Sequence, residues 1–195
     1  MHLQYIKNLI HNLPLVYQSQ AAYAHYLINT DADSKPIAIA DLDIHHIARL
    51  SFCRELSKEQ LNDLLPYIEP KEYDKGYRFQ TGGVGKKISI VYSGAVMLFL
   101  KENNHLLKSI AVYGLGELFL QNFYINKFQS IADYVTCEKS LILEIKFHHY
   151  EQLQHQHPAI FYLISQYIHS GIARSVYVVN RQFIRIASEF HDLLK

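Results

Sequence analysis

The strongest candidates for a functional site gather between positions 114 and 145. Gly114-Leu115-Gly116-Glu117-Leu118-Phe119-Leu120 sets a Gly-Glu pair at a short turn between alternating apolar segments. Backbone N–H groups at such a turn can grip an anion, and Gly116 lets the chain come close. A polar insert over residues 121–129 follows, with Lys127 as its cation, and then Ser130-Ile131-Ala132-Asp133-Tyr134-Val135. This is the shape of a phosphate cradle inside a β-roll.

Other candidate chemistry is weaker. His148-His149 and His155-x-His157 suggest a metal, but positions two apart on a helix point about 200° apart and cannot chelate together. These histidines, and His45-His46, are expected on solvated helix surfaces, with no metal site. Residues 82–87 (GGVGKK) are near a phosphate-binding P-loop, yet that motif needs Gly at 80 and Ser or Thr at 87. The chain has Gln80 and Lys87. Cys53 and Cys137 form no CxxC and read as small apolar residues. No Ser-His-Asp, Cys-His or paired-carboxylate arrangement stands out, so no catalytic residue is assigned and no enzyme is expected.

A chain of 195 residues fits one ordinary domain plus an extension and is long enough to bury a core. With 49% hydrophobic residues, 15 Tyr and 10 Phe, it should be globular. A net charge of +1 lacks the basic field of a free-standing nucleic-acid binder. No apolar run reaches the ~18 residues of a membrane span, and no signal-peptide pattern opens the chain. A cytoplasmic protein without membrane contact is expected.

The elements that must position the Gly-Glu turn follow from periodicity. Residues 1–29 read as two helical pieces broken by Pro14, residues 30–36 as a polar breaker, and residues 41–50 as a helix with Ile44, Ile47 and Leu50 inward. Ser57-x-x-Gln60 is a capping box ahead of a short helix that ends near Pro66. Strand periods then alternate with turns, as in an antiparallel roll. Residues 67–73 lead to a turn at Lys75-Gly76. Residues 87–92 turn at Ser93-Gly94 and are expected to return as a hairpin with residues 95–100. Residues 106–112 make the next strand, after a turn at residues 102–104, and residues 141–145 the last. Residues 147–157 read as a short helix, and Pro158 opens a long one whose apolar surface is wider than one stripe needs.

The turn segment resembles the phosphate-binding cassette of the cyclic-nucleotide-binding domain, the sensor module of Crp/Fnr regulators. Leu115-Gly116-Glu117-Leu118-Phe119-Leu120 matches the first half of the family's Phe-Gly-Glu-Leu-Ala-Leu pattern. Lys75-Gly76, Gly82-Gly83 and Ile90-Val91-Tyr92-Ser93-Gly94 fall at the family's corners, in order and at its spacing. The resemblance covers about residues 52–187. It implies a mainly β fold with flanking helices: a cyclic-nucleotide-binding-like double-stranded β-roll, or jelly roll, over residues 52–157. A helical extension over residues 1–51 would precede it, and a long dimerisation helix over residues 158–195 would follow.

The resemblance also implies an effector site of Gly116, Glu117, Leu118, Phe119, Ser130 and Ile131, with Glu117 accepting from a ribose 2′-OH. Ser175 falls where family members place a Ser or Thr against the base. The cassette departs where the family's Arg pairs the phosphate: the chain reads Gln129-Ser130-Ile131-Ala132. A Ser hydroxyl cannot replace a bidentate guanidinium, and losing a desolvated Arg–phosphate pair costs ~3 kcal/mol or more. Lys127 could reach in if the insert folds back. The cofactor is therefore left open, with cyclic AMP disfavoured. In the family the long helix forms a homodimer, expected here through residues 158–187. Residues 185–195 resemble the start of the family's DNA-binding domain, so DNA is a partner only if a further domain follows Lys195. The expected function is the effector-sensing and dimerisation domain of a bacterial Crp/Fnr-type transcription regulator. The alternatives are a degenerate roll acting as a protein-interaction module, and a sensor of a different small molecule in a pocket around Phe119, Phe123 and Phe128.

Overall fold

In the computed structural model, residues 32–79, 87–102, 105–121 and 132–193 are described. The helices expected within residues 1–29, the Gly82-Gly83 corner and most of the insert lie outside these residues.

Among the described residues, nine strands form two antiparallel sheets. They are β1 (Ser34–Pro36), β2 (Glu69–Tyr73), β3 (Arg78–Phe79), β4 (Lys87–Ser93), β5 (Val96–Glu102), β6 (His105–Tyr113), β7 (Leu118–Gln121), β8 (Ala132–Thr136) and β9 (Ser140–Lys146). One sheet runs β1-β2-β9-β4-β7 and the other β3-β8-β5-β6. The helices are α1 (Ile44–Arg49), α2 (Lys58–Leu64), α3 (Phe147–Gln156) and α4 (Pro158–Leu193). Mainly antiparallel sheet with flanking helices is the fold class read from the sequence.

β4 and β9 are buried on both faces, which explains their near-continuous apolar runs. Ile88, Ile90, Leu143 and Ile145 face the helices and pack with Leu64, Leu153, Ile160, Ile164 and Ile168. Val91 and Ile142 face into the roll with Tyr73, Phe79, Val96, Leu98, Tyr113 and Phe119. At the same inner face Glu144 is 1% exposed. It accepts from Tyr73 Oη at 2.5 Å and pairs with Lys87 Nζ at 2.5 Å and Lys71 Nζ at 3.3 Å. Burial, then the Glu144 charge, push the Tyr73 phenol far above its ordinary range, so it stays a donor.

The Ser57–Gln60 capping box forms as expected, with both reciprocal hydrogen bonds. Ile44, expected inward, is 37% exposed, and two expectations about the strands fail. The stretch over residues 30–36 is not simply a polar breaker: Ser34–Pro36 pairs with Lys71–Tyr73 as an edge strand. Pro36 is tolerated there because an edge needs no ladder donor on its outer side. β4 and β5 are also not hairpin partners. β4 pairs with β7 and β9, and β5 with β6 and β8, so the Gly94 turn carries the chain from one sheet to the other. Gly94 has φ +84°, and a Cβ there would lie 2.4 Å from Ser140 Oγ. Only glycine lets the crossing chain lie this close to the start of β9.

Candidate functional site

The Gly-Glu turn joins β6 to β7, and its conformation follows from local chemistry. Gly116 adopts φ +73°, the left-handed region that favours glycine. Its N–H donates to Val91 O at 2.7 Å, and the Glu117 N–H donates to Gly114 O at 2.9 Å. Glu117 folds back so that Oε2 accepts from the Gly114 N–H at 2.9 Å. All three of these turn amides therefore have partners inside the protein.

α4 lies against β6 and β7 and completes the site. Gly171 brings the helix backbone close, with its Cβ position 3.4 Å from Leu118 Cδ2. Arg174, one turn further, forms an ion pair from Nη1 to Glu117 Oε1. One turn earlier, the Tyr167 hydroxyl donates to the Gly116 carbonyl. Burial raises the Tyr167 phenol above its usual range, and the Glu117 charge adds to this, so the hydroxyl remains protonated. The helix is thus tied to both residues of the turn.

Between them lies a cavity of about 390 Å³. Its polar lining is Ser51, Glu117, Tyr167, Ser170 and Arg174, and its apolar wall is Ala111, Val112, Tyr113 and Leu118. Gly116, Glu117 and Leu118 are therefore brought together around one space. Phe119 is not: it is 1% exposed inside the roll, against Phe79 and Tyr134. The inward face of β7 puts this ring into the core, and the other two rings of the pocket expected around Phe119, Phe123 and Phe128 lie outside the described residues. Ser175 lies on α4, next in sequence to Arg174. Lys127, Ser130 and Ile131, with Phe123 and Phe128, lie outside the described residues. Arg174, Tyr167, Ser170 and Ser51 were not singled out in the sequence. The signal was a stripe of Tyr167, Ser170, Gly171 and Arg174 at helical spacing beside the apolar face of Ile160, Ile164 and Ile168.

His45, His148 and His155 are exposed as expected, whereas His46, His149 and His157 are half-buried. His149 Nδ1 lies 3.2 Å from Tyr67 O, His157 Nδ1 lies 3.4 Å from Asp63 Oδ2, and half-buried His46 packs on the Tyr92 ring. Among the described residues no three His, Cys, Asp or Glu side chains converge as a metal site, and no helix is long and apolar enough to cross a membrane.

With this geometry in place, solved structures decide the architecture. The chain is similar to a cyclic nucleotide-binding domain from Methylobacillus flagellatus, with a TM-score of 0.64 and 16% identity, covering 80% of this chain and 89% of that one. The fold is that of a cyclic-nucleotide-binding domain. The catabolite activator protein of Thermus thermophilus matches with a TM-score of 0.55 and 23% identity, over 70% of this chain and 62% of that one. A CooA mutant from Carboxydothermus hydrogenoformans matches with a TM-score of 0.53 and 14% identity, over 80% of this chain and 99% of that one. No family model matches the sequence, and no curated protein matches it significantly.

Proposed function

We propose that this chain is the effector-sensing and dimerisation domain of a Crp/Fnr-type regulator. The observation that carries the reading is the double tie of α4 to the cassette turn across a cavity. Arg174 holds Glu117, and Tyr167 holds Gly116. A ligand entering the cavity must touch both ties, so it biases where the long helix sits. Away from the roll the same helix exposes Tyr162, Val176, Tyr177 and Ile184, between 54% and 66% exposed. Such an apolar outer face suits a second copy of the chain. Effector occupancy would then select between two arrangements of the paired helices, which in a complete regulator sets the DNA-binding heads.

Sedimentation of the purified chain tests the dimer. A dimer at tens of micromolar, converted to monomer by Ile184→Glu, is the expected result. A monomer at that concentration overturns the reading.

A further inference from the structure

The charges and amides around the cavity bear on what kind of ligand it takes. Of the described residues lining it, two are charged, Glu117 and Arg174, and they neutralise each other. An anion placed here would meet the Glu117 carboxylate and would have to compete with it for the guanidinium. Turn amides are the other device that holds phosphate without cationic side chains. Here the N–H groups of Gly114, Gly116 and Glu117 are already bonded to Glu117 Oε2, Val91 O and Gly114 O. The sequence supplies no Arg at the cassette position, where it reads Gln129-Ser130. Three separate features thus fail to favour a phosphate.

What remains suits an uncharged polar molecule. A carboxylate offers about four acceptor sites and a guanidinium five N–H donors. The Gly114 amide and the ion pair use only part of that capacity. A vicinal diol, which both donates and accepts, can hydrogen-bond to the carboxylate and to the guanidinium without breaking their pairing. The hydroxyls of Ser51 and Ser170 add further polar contacts at the wall. On the other side Val112 and Leu118 offer an apolar surface for a flat ring. A volume of about 390 Å³ lies at the small end of the ~300–1,000 Å³ of ligand pockets, enough for one compact molecule.

We infer that the cavity takes an uncharged, diol-bearing ligand of the ribonucleoside class, held by the Glu117–Arg174 pair, in preference to a cyclic nucleotide. This rests on the reading of the cavity as the effector site.

The test is calorimetric titration of the full chain with adenosine, guanosine, 2′-deoxyadenosine, cyclic AMP and cyclic GMP. A ribonucleoside should bind at least tenfold more tightly than its cyclic monophosphate, and adenosine at least tenfold more tightly than 2′-deoxyadenosine. Glu117→Gln, which keeps an acceptor for the Gly114 amide, should erase the ribo-to-deoxy difference. The comparison between ligands on the unaltered chain stands even if that variant folds poorly. Tighter binding of cyclic AMP than adenosine, weakened by Lys127→Ala or Arg174→Ala, would overturn the uncharged class while keeping the effector site. Silence from every ligand up to millimolar would overturn both.

Discussion

Replacing Gly94 by alanine should be the most damaging of the Gly→Ala changes at the positive-φ glycines Gly94 and Gly116, and the size of the effect can be worked from the surroundings. Both residues adopt left-handed backbone, at φ +84° and +73°. For an L residue that conformation costs roughly 1–2 kcal/mol. The two differ in what an added methyl would meet. At Gly116 the nearest atom is Ser51 Oγ at 3.6 Å, an ordinary contact. At Gly94 the methyl would sit 2.4 Å from Ser140 Oγ, 2.8 Å from Lys139 O and 2.8 Å from Ser140 Cα. The hydroxyl cannot simply turn away, because it donates to Glu138 O at 2.8 Å and accepts from the Ala95 N–H at 3.2 Å. The other two atoms are backbone at the start of β9. Forcing a methyl into such a site adds about 1–3 kcal/mol. Gly94→Ala should therefore cost about 2–5 kcal/mol and Gly116→Ala about 1–2 kcal/mol. With a urea slope of about 2 kcal/mol/M, the midpoints should fall by roughly 1–2.5 M and 0.5–1 M. Adding Ser140→Ala to Gly94→Ala should recover little, since the backbone contacts stay. Equal midpoints for the two single variants would refute the close-crossing argument.

Two further outcomes follow from the interior. Glu144→Leu leaves Lys71, Lys87 and Tyr73 without their shared acceptor and should lower stability by about 3 kcal/mol, whereas the combination with Lys71→Met, Lys87→Met and Tyr73→Phe should recover most of it. A combined variant weaker than Glu144→Leu in chemical denaturation would contradict the buried-network reading. Cys53 is 2% exposed, and burial pushes its thiol up to about 12. It should resist alkylation in the native protein at pH 9 while half-buried Cys137 reacts, read by peptide mass mapping; native labelling of Cys53 at the rate of a free thiol would show that its cover opens.

Local chemistry made much of this fold legible. The Ser57–Gln60 box formed because both of its partners lie three residues apart. Gly76, Gly94 and Gly116 each marked a turn, and each has positive φ. The side of each turn on which the chain continues was not legible. Ser93-Gly94 looks the same whether the next strand pairs with β4 or crosses to the other sheet. That choice is made by β8 and β9, more than thirty residues later in sequence. The same limit hid the edge strand, since Ser34–Pro36 has no strand pattern and forms where Glu72 can pair with Lys35 and the edge of β2 is open.

The site was half visible for the same reason. Glu117 belongs to a local motif, but Arg174 is a surface-type residue on a helix and gains its meaning from what that helix crosses. The wide apolar surface of α4 suggested two faces, one for the roll and one for a partner. The structure divides it differently. Ile160, Ile164 and Ile168 are buried on the roll, Tyr167, Ser170 and Arg174 overlook the cavity, and Val176, Tyr177 and Ile184 point away from it. A polar stripe between two apolar ones is a poor way to dock a helix, since it forgoes apolar burial along that line. It is a good way to let the helix feel what lies beneath it. If Arg174 served only to fasten α4 to the roll, Arg174→Met should lower thermal stability and leave ligand affinity unchanged. If it reads the cavity, the same substitution should leave thermal stability nearly intact, as expected for an ion pair whose Arg side chain is 69% exposed, while ribonucleoside binding falls at least tenfold.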